Sequence, residues 1–190
     1  MFRLTRLLLA TTLLLSPLTA WCANTSNWLD SVTVGYGKES NTNDADIVQL
    51  SLQNKWNRTW FNGGAWYVGG YWDAGLSYLN ADADSGENGE LFDLSLMPVF
   101  RWQRDASLSS GVSPFAEAGI GPHLLSETSL ADQRYSTALQ LGTLISFGIG
   151  FGDRGQYELS YRYQYLSNVD LKKPDDGMNQ HLLRLGYVFE

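Results

Sequence analysis

From Trp28 to the end of the chain, apolar and polar side chains alternate in eight segments separated by turn-rich stretches. Segment one carries Val32, Val34 and Tyr36, and segment two Val48, Leu50, Leu52 and Trp56. The third has Trp66, Val68, Trp72, Ala74, Leu76 and Tyr78, and the fourth Phe92, Leu94, Leu96, Phe100 and Trp102. The fifth, from Phe115 to about Leu125, is less regular. The sixth runs through Leu139, Leu141, Ile145, Phe147, Ile149 and Phe151. The seventh holds Leu159, Tyr161, Tyr163 and Tyr165, and the eighth Leu183, Leu185, Tyr187 and Phe189. Period two predicts strands with one face apolar and the other polar.

The opposite face holds Gly, Ser, Gln and charge, with Lys55, Arg101, Arg162 and Arg184 against Asp73, Asp93, Glu117 and Glu158. The apolar set is too bulky for the lumen of an eight-stranded barrel, whereas the small and polar set fits it. Charges enclosed there would have to pair, because an unpaired buried charge is costly. An apolar exterior, aromatic strand ends and an even strand count predict an all-β fold, an eight-stranded antiparallel transmembrane β-barrel. A soluble, lipocalin-like barrel is the competing architecture. An even strand number puts both termini on the periplasmic side and the loops around residues 38–46, 80–90, 126–136 and 168–178 outside. The 80–90 loop is acidic, which suits a solvated surface or cation-bridged contact with lipopolysaccharide.

The start of the chain fits this destination. Arg3 and Arg6 precede an apolar run from Leu7 to Leu18, too short to span a bilayer as a helix, as in a secretory signal. Residues 1–23 are therefore expected to be a signal peptide, cleaved after Ala20 or Ala23, and residues 24–190 the barrel domain. Cys22 is the single cysteine, so no intramolecular disulfide can form; a lipoprotein reading of it places the bulky Trp21 where a small residue should stand. Without Arg3 and Arg6 the chain carries 11 basic and 20 acidic residues, a net charge of −9. That balance argues against nucleic acid as a partner. His123 and His181 are far apart and the acids are scattered, so no metal site and no cofactor are expected.

Candidate chemistry lies in the hairpin between segments seven and eight. Parity puts Tyr165 and Ser167 on the lipid-facing side, with Asn179 and His181 from the partner strand. Taken alone, Ser167 reads as a boundary serine entering a turn. The chain nevertheless resembles the PagL-type lipid A 3-O-deacylases over nearly all of its length beyond the signal. The resemblance is carried by GYWDAGLSY (Gly70 to Tyr78), SLMPVF (Ser95 to Phe100), PFAEAGIG (Pro114 to Gly121) and SNVDLKKPDDG (Ser167 to Gly177). The alternation up to Phe189 also resembles the C-terminal signal of outer-membrane barrels, with Glu190 as a departure.

The resemblance implies an outer-membrane barrel of a Gram-negative bacterium that removes the 3-linked acyl chain of lipid A. It implies a serine nucleophile, a histidine base two residues earlier and an orienting glutamate on the next strand. Mapped onto this chain, the serine is Ser167 and the residue after it Asn168. The histidine position holds Tyr165 and the glutamate position Asn179. A phenol titrates near 10 and is a poor base at neutral pH, and an amide has no charge with which to orient an imidazolium. With position 165 opposite 179, His181 would face Tyr163, about 13 Å along the strand from Ser167 at roughly 3.3 Å per residue. Lys172 and Lys173 sit on the outer loop, where they are either a solvated turn or phosphate contacts for lipid A.

Two functions of different class follow. One is lipid A ester hydrolysis with a non-standard base. The other is a catalytically inactive relative that keeps the barrel and the lipid contact, and the loss of both partners of the serine favours it. A third reading is an adhesion or resistance barrel acting through its outer loops.

Overall fold

The computed structural model describes residues 28–41, 45–105 and 111–189. The expected signal peptide, Cys22 and Glu190 lie outside these residues. The strands in chain order are β1 (Ser31–Glu39), β2 (Ala45–Lys55), β3 (Trp66–Asn80), β4 (Glu90–Arg104), β5 (Val112–Leu125), β6 (Ser129–Leu130), β7 (Gln133–Arg134), β8 (Leu139–Phe151), β9 (Tyr157–Ser167) and β10 (Met178–Val188). Eight of them close a barrel in the order β1-β10-β9-β8-β5-β4-β3-β2, each pair antiparallel; β6 and β7 form a separate ribbon in the β5–β8 loop. Each of the eight predicted segments is a barrel strand. Closure satisfies every strand edge, which a bilayer requires because hydrocarbon offers backbone groups no partner.

The alternation translates into two faces. Leu94, Phe100, Trp102, Phe147, Leu183 and Leu185 are among the many large apolar side chains exposed on the outside. A soluble barrel would turn these inward, so the lipocalin-like alternative does not fit. Strands β3 and β4 have 15 residues each; at about 3.3 Å per residue they reach some 50 Å, enough to cross an apolar band roughly 25 Å tall at a tilt near 45°.

The middle of the lumen is a buried ion network. Arg101 contacts Glu117 at 2.6 Å and Glu158 at 2.5 Å, and Arg162 contacts Asp73 at 2.8 Å. Arg184 reaches the same Asp73 carboxylate at 3.5 Å, and the Tyr71 hydroxyl donates to Glu117. Two of the expected lumen charges behave differently. Lys55 is exposed at the end of β2, and Asp93 takes its partner from a histidine, His123, whose Nδ1 lies 2.9 Å from both carboxylate oxygens.

The expectation of a small, polar lumen fails at the β9–β10 loop end. There Ile47, Leu79, Leu91, Leu125, Leu166, Met178 and Leu182 point inward and pack around Leu130, Ala131 and Tyr135. The physical reason is the β5–β8 loop, which carries those last three residues. It folds into the mouth, excludes water and so selects apolar side chains beneath it.

Candidate functional site

The site is built where β9 ends and β10 begins. The register pairs Tyr165 with Asn179, Leu166 with Met178 and Tyr163 with His181, and on the other side Ser167 pairs with Leu141 of β8. Leu166 and Met178 point inward and are buried. Parity therefore puts Tyr165, Ser167 and Asn179 on the outer face, where Tyr165 is exposed and the other two are half-buried.

The strand gives way to a tight turn. The Leu171 N–H donates to the Asn168 carbonyl at 3.2 Å, with φ of 58° at Val169 and 59° at Asp170. Two consecutive left-handed residues are the signature of a type I′ turn, which favours Gly and Asn; a β-branched valine there is strained and persists only where surrounding contacts enforce it. Those contacts converge on Asp175. Its carboxylate accepts from the Ser167 hydroxyl at 2.6 Å, from the Asn168 N–H at 3.1 Å and from the Asp170 N–H at 3.4 Å. The Val169 N–H donates to Ser167 Oγ at 2.9 Å. Ser167 is thus held at both its donor and its acceptor side.

Asn168 is buried, and its side-chain amide donates to the carbonyls of Tyr135 (2.9 Å) and Lys172 (2.8 Å). It tethers the turn to the loop that seals the lumen. Asp176 adds a second tie by accepting the Arg134 N–H at 2.8 Å.

Tyr165 and Asn179, which stand at the positions the resemblance assigns to the histidine and the glutamate, make other contacts. The Tyr165 ring lies over Gly177, where a Cβ would stand 2.8 Å from the phenolic oxygen and φ is +68°. Asn179 accepts from the Tyr163 hydroxyl at 2.5 Å, donates from its amide to Asn41 at 3.0 Å and gives its backbone N–H to Glu39. His181 Nδ1 lies 2.6 Å from the Tyr161 hydroxyl, and its ring packs against Tyr163. The expected register holds and carries His181 away from Ser167. His123 is sealed in the lumen between Asp93 and Met97, its Nε2 3.3 Å from the Met97 sulfur. Lys172 and Lys173 are exposed. Lys173 Nζ lies 2.5 Å from Asp170, and that hydrogen bond raises its pKa above the ordinary lysine value. Among the described residues no group of His, Cys, Asp and Glu could hold a metal ion.

Sequence reasoning missed Asp175. The available signal was an acid in a Pro-Asp-Asp-Gly turn eight residues after the serine, a residue type that accepts backbone N–H groups in turns. Chemically, the arrangement is a hydroxyl donating to a carboxylate within proton-transfer distance, on the lipid side of a barrel strand.

The family model for lipid A 3-O-deacylase (PagL) matches residues 46–188. The lipid A deacylase PagL of Pseudomonas aeruginosa is 32% identical over 136 residues, 71% of this chain and 73% of that protein. The lipid A deacylase PagL of Bordetella bronchiseptica is 34% identical over 118 residues, 62% of this chain and 60% of its own length. The crystal structure of the outer membrane enzyme PagL superposes with a TM-score of 0.72 at 27% identity, covering 83% of this chain and 98% of that one. Neisserial surface protein A shares the fold, with a TM-score of 0.54 at 13% identity, over 86% of this chain and 98% of its own.

Proposed function

This chain belongs to the PagL family of lipid A 3-O-deacylases, outer-membrane β-barrels of Gram-negative bacteria, and on that premise we propose that it hydrolyses an acyl ester of lipid A with Ser167 as nucleophile. The carrying observation is the position of the Ser167 hydroxyl. It stands on the outer face at the loop end of β9, hydrogen-bonded to a carboxylate. A substrate that stays in the outer leaflet presents its ester linkages near the boundary between acyl chains and headgroups, and its acyl chains would lie along the exposed apolar face below. Lys172 and Lys173, exposed on the same hairpin, offer cations to the lipid A phosphates, as ammonium groups do for phosphate generally.

A second reading rests on Tyr165 and Asn179. Their side chains supply neither an imidazole nor an orienting carboxylate, which supports a relative that binds lipid A without cleaving it. Mass spectrometry of lipid A separates the two. Lipid A from cells producing this chain is expected to lose one acyl chain, and lipid A from cells producing Ser167→Ala or carrying an empty vector to keep it. Unchanged lipid A, with the barrel folded in the outer membrane, would sink hydrolysis and leave the binding reading.

A further inference from the structure

We infer that Asp175 is the proton acceptor for Ser167, so that the reaction runs on a serine–aspartate pair; the inference rests on the hydrolytic reading above. Three observations carry it. Asp175 Oδ2 accepts a hydrogen bond from the Ser167 hydroxyl at 2.6 Å, the distance at which general-base transfer occurs. Neither histidine competes for that role, because one is sealed in the lumen and the other is bonded to Tyr161. The carboxylate is also fixed in place. Hydrogen bonds from the Asn168 and Asp170 N–H groups, presented by the left-handed turn at Val169 and Asp170, hold it beside the serine.

The step balances with these groups alone. Ser167 Oγ bonds to the ester carbonyl carbon as its proton passes to Asp175, and the carbonyl electron pair moves onto oxygen. When the tetrahedral species collapses, the bond from the acyl carbon to the sugar oxygen breaks and Asp175 returns the proton to that oxygen. The products are a free sugar hydroxyl and acyl-Ser167. A water that gives its proton to Asp175 then attacks the acyl carbon. Collapse restores the Ser167 hydroxyl and releases the fatty acid.

The test uses the full chain in outer membranes, with heat-modifiable migration as the check that each variant is folded. Lipid A deacylation is read by mass spectrometry, and labelling of Ser167 by a fluorophosphonate reads its nucleophilicity independently of lipid. Asp175→Asn is expected to slow both by about 100-fold or more, the usual contribution of a general base. Ser167→Ala is expected to abolish both. Asp175→Ala is expected to regain at least tenfold in formate, a small carboxylate able to fill the space left by the side chain. Asp175→Asn that matches wild type in both assays overturns the inference while the hydrolytic reading stands. Loss in Asp175→Ala that formate does not relieve marks a merely structural carboxylate and also overturns it. Wild-type protein indistinguishable from Ser167→Ala in both assays overturns the inference and the hydrolytic reading together.

Discussion

Installing His at position 165 and Glu at position 179 asks whether the rest of the site still fits the family chemistry. The two positions face each other across β9 and β10, so the carboxylate of Asn179→Glu would reach the imidazole of Tyr165→His. The paired variant is expected to deacylate lipid A faster than wild type, by less than the roughly 10²-fold of a full general base, because Asp175 already supplies part of that contribution. Tyr165→His alone, without the orienting acid, should gain much less. His181→Ala should leave deacylation within about twofold, because that ring belongs to Tyr161 and Tyr163; a large loss would mean that His181 reaches Ser167 in the membrane. At this scale the side of the barrel on which Ser167 sits was legible, since parity alone assigns it. Asp175 was not, because loop residues have no period, and only the folded turn brings position 175 back to position 167.

Strand existence was the most legible feature, and the fifth segment shows where alternation loses its grip. The β4–β5 register runs from Asp93↔Leu125 to Ser95↔His123 and resumes at Val99↔Gly119. The interrupted stretch contains Pro98 and Pro122, neither of which has an N–H to give. Beside Pro122, the His123 imidazole lies over a glycine of β8: a Cβ at Gly142 would stand 2.3 Å from His123 Nε2. Gly142→Ala must therefore push the imidazole off Asp93. It is expected to destabilise the barrel by roughly 1–3 kcal/mol, from overpacking and the strained buried hydrogen bond. Urea unfolding in detergent micelles reads this as a lower midpoint, and an unchanged midpoint would show that His123 has room to move. The apolar plug at the barrel mouth was illegible for a related reason. Each inward residue there sits on the parity expected to be polar, and only the inward fold of the β5–β8 loop makes an apolar choice favourable.

Over the whole molecule, charge is sorted by depth. The lumen holds guanidinium–carboxylate contacts that share partners, and Asp73 serves both Arg162 and Arg184. Asp73→Asn would leave two buried guanidiniums short of a counter-ion, at a cost of about 3–5 kcal/mol, since removing one partner of a buried pair strands the other. The surface poses a different problem. In a chain whose acids outnumber its bases, 20 to 13, the proposed attraction to lipid A phosphates has to be local. The Lys172–Lys173 pair sits on the hairpin that carries Ser167, but Lys173 is already paired with Asp170. The two substitutions should therefore be unequal. Lys172→Ala is expected to weaken binding to vesicles containing phosphorylated lipid A several-fold at low salt, and Lys173→Ala less, with both effects fading near 1 M salt, where the Debye length is about 3 Å. Neither should shift the urea midpoint, because exposed charges contribute little to folding. Equal and salt-independent losses would instead mean that the hairpin had changed shape, and the contact with lipid A phosphates would have to be sought elsewhere on the barrel rim.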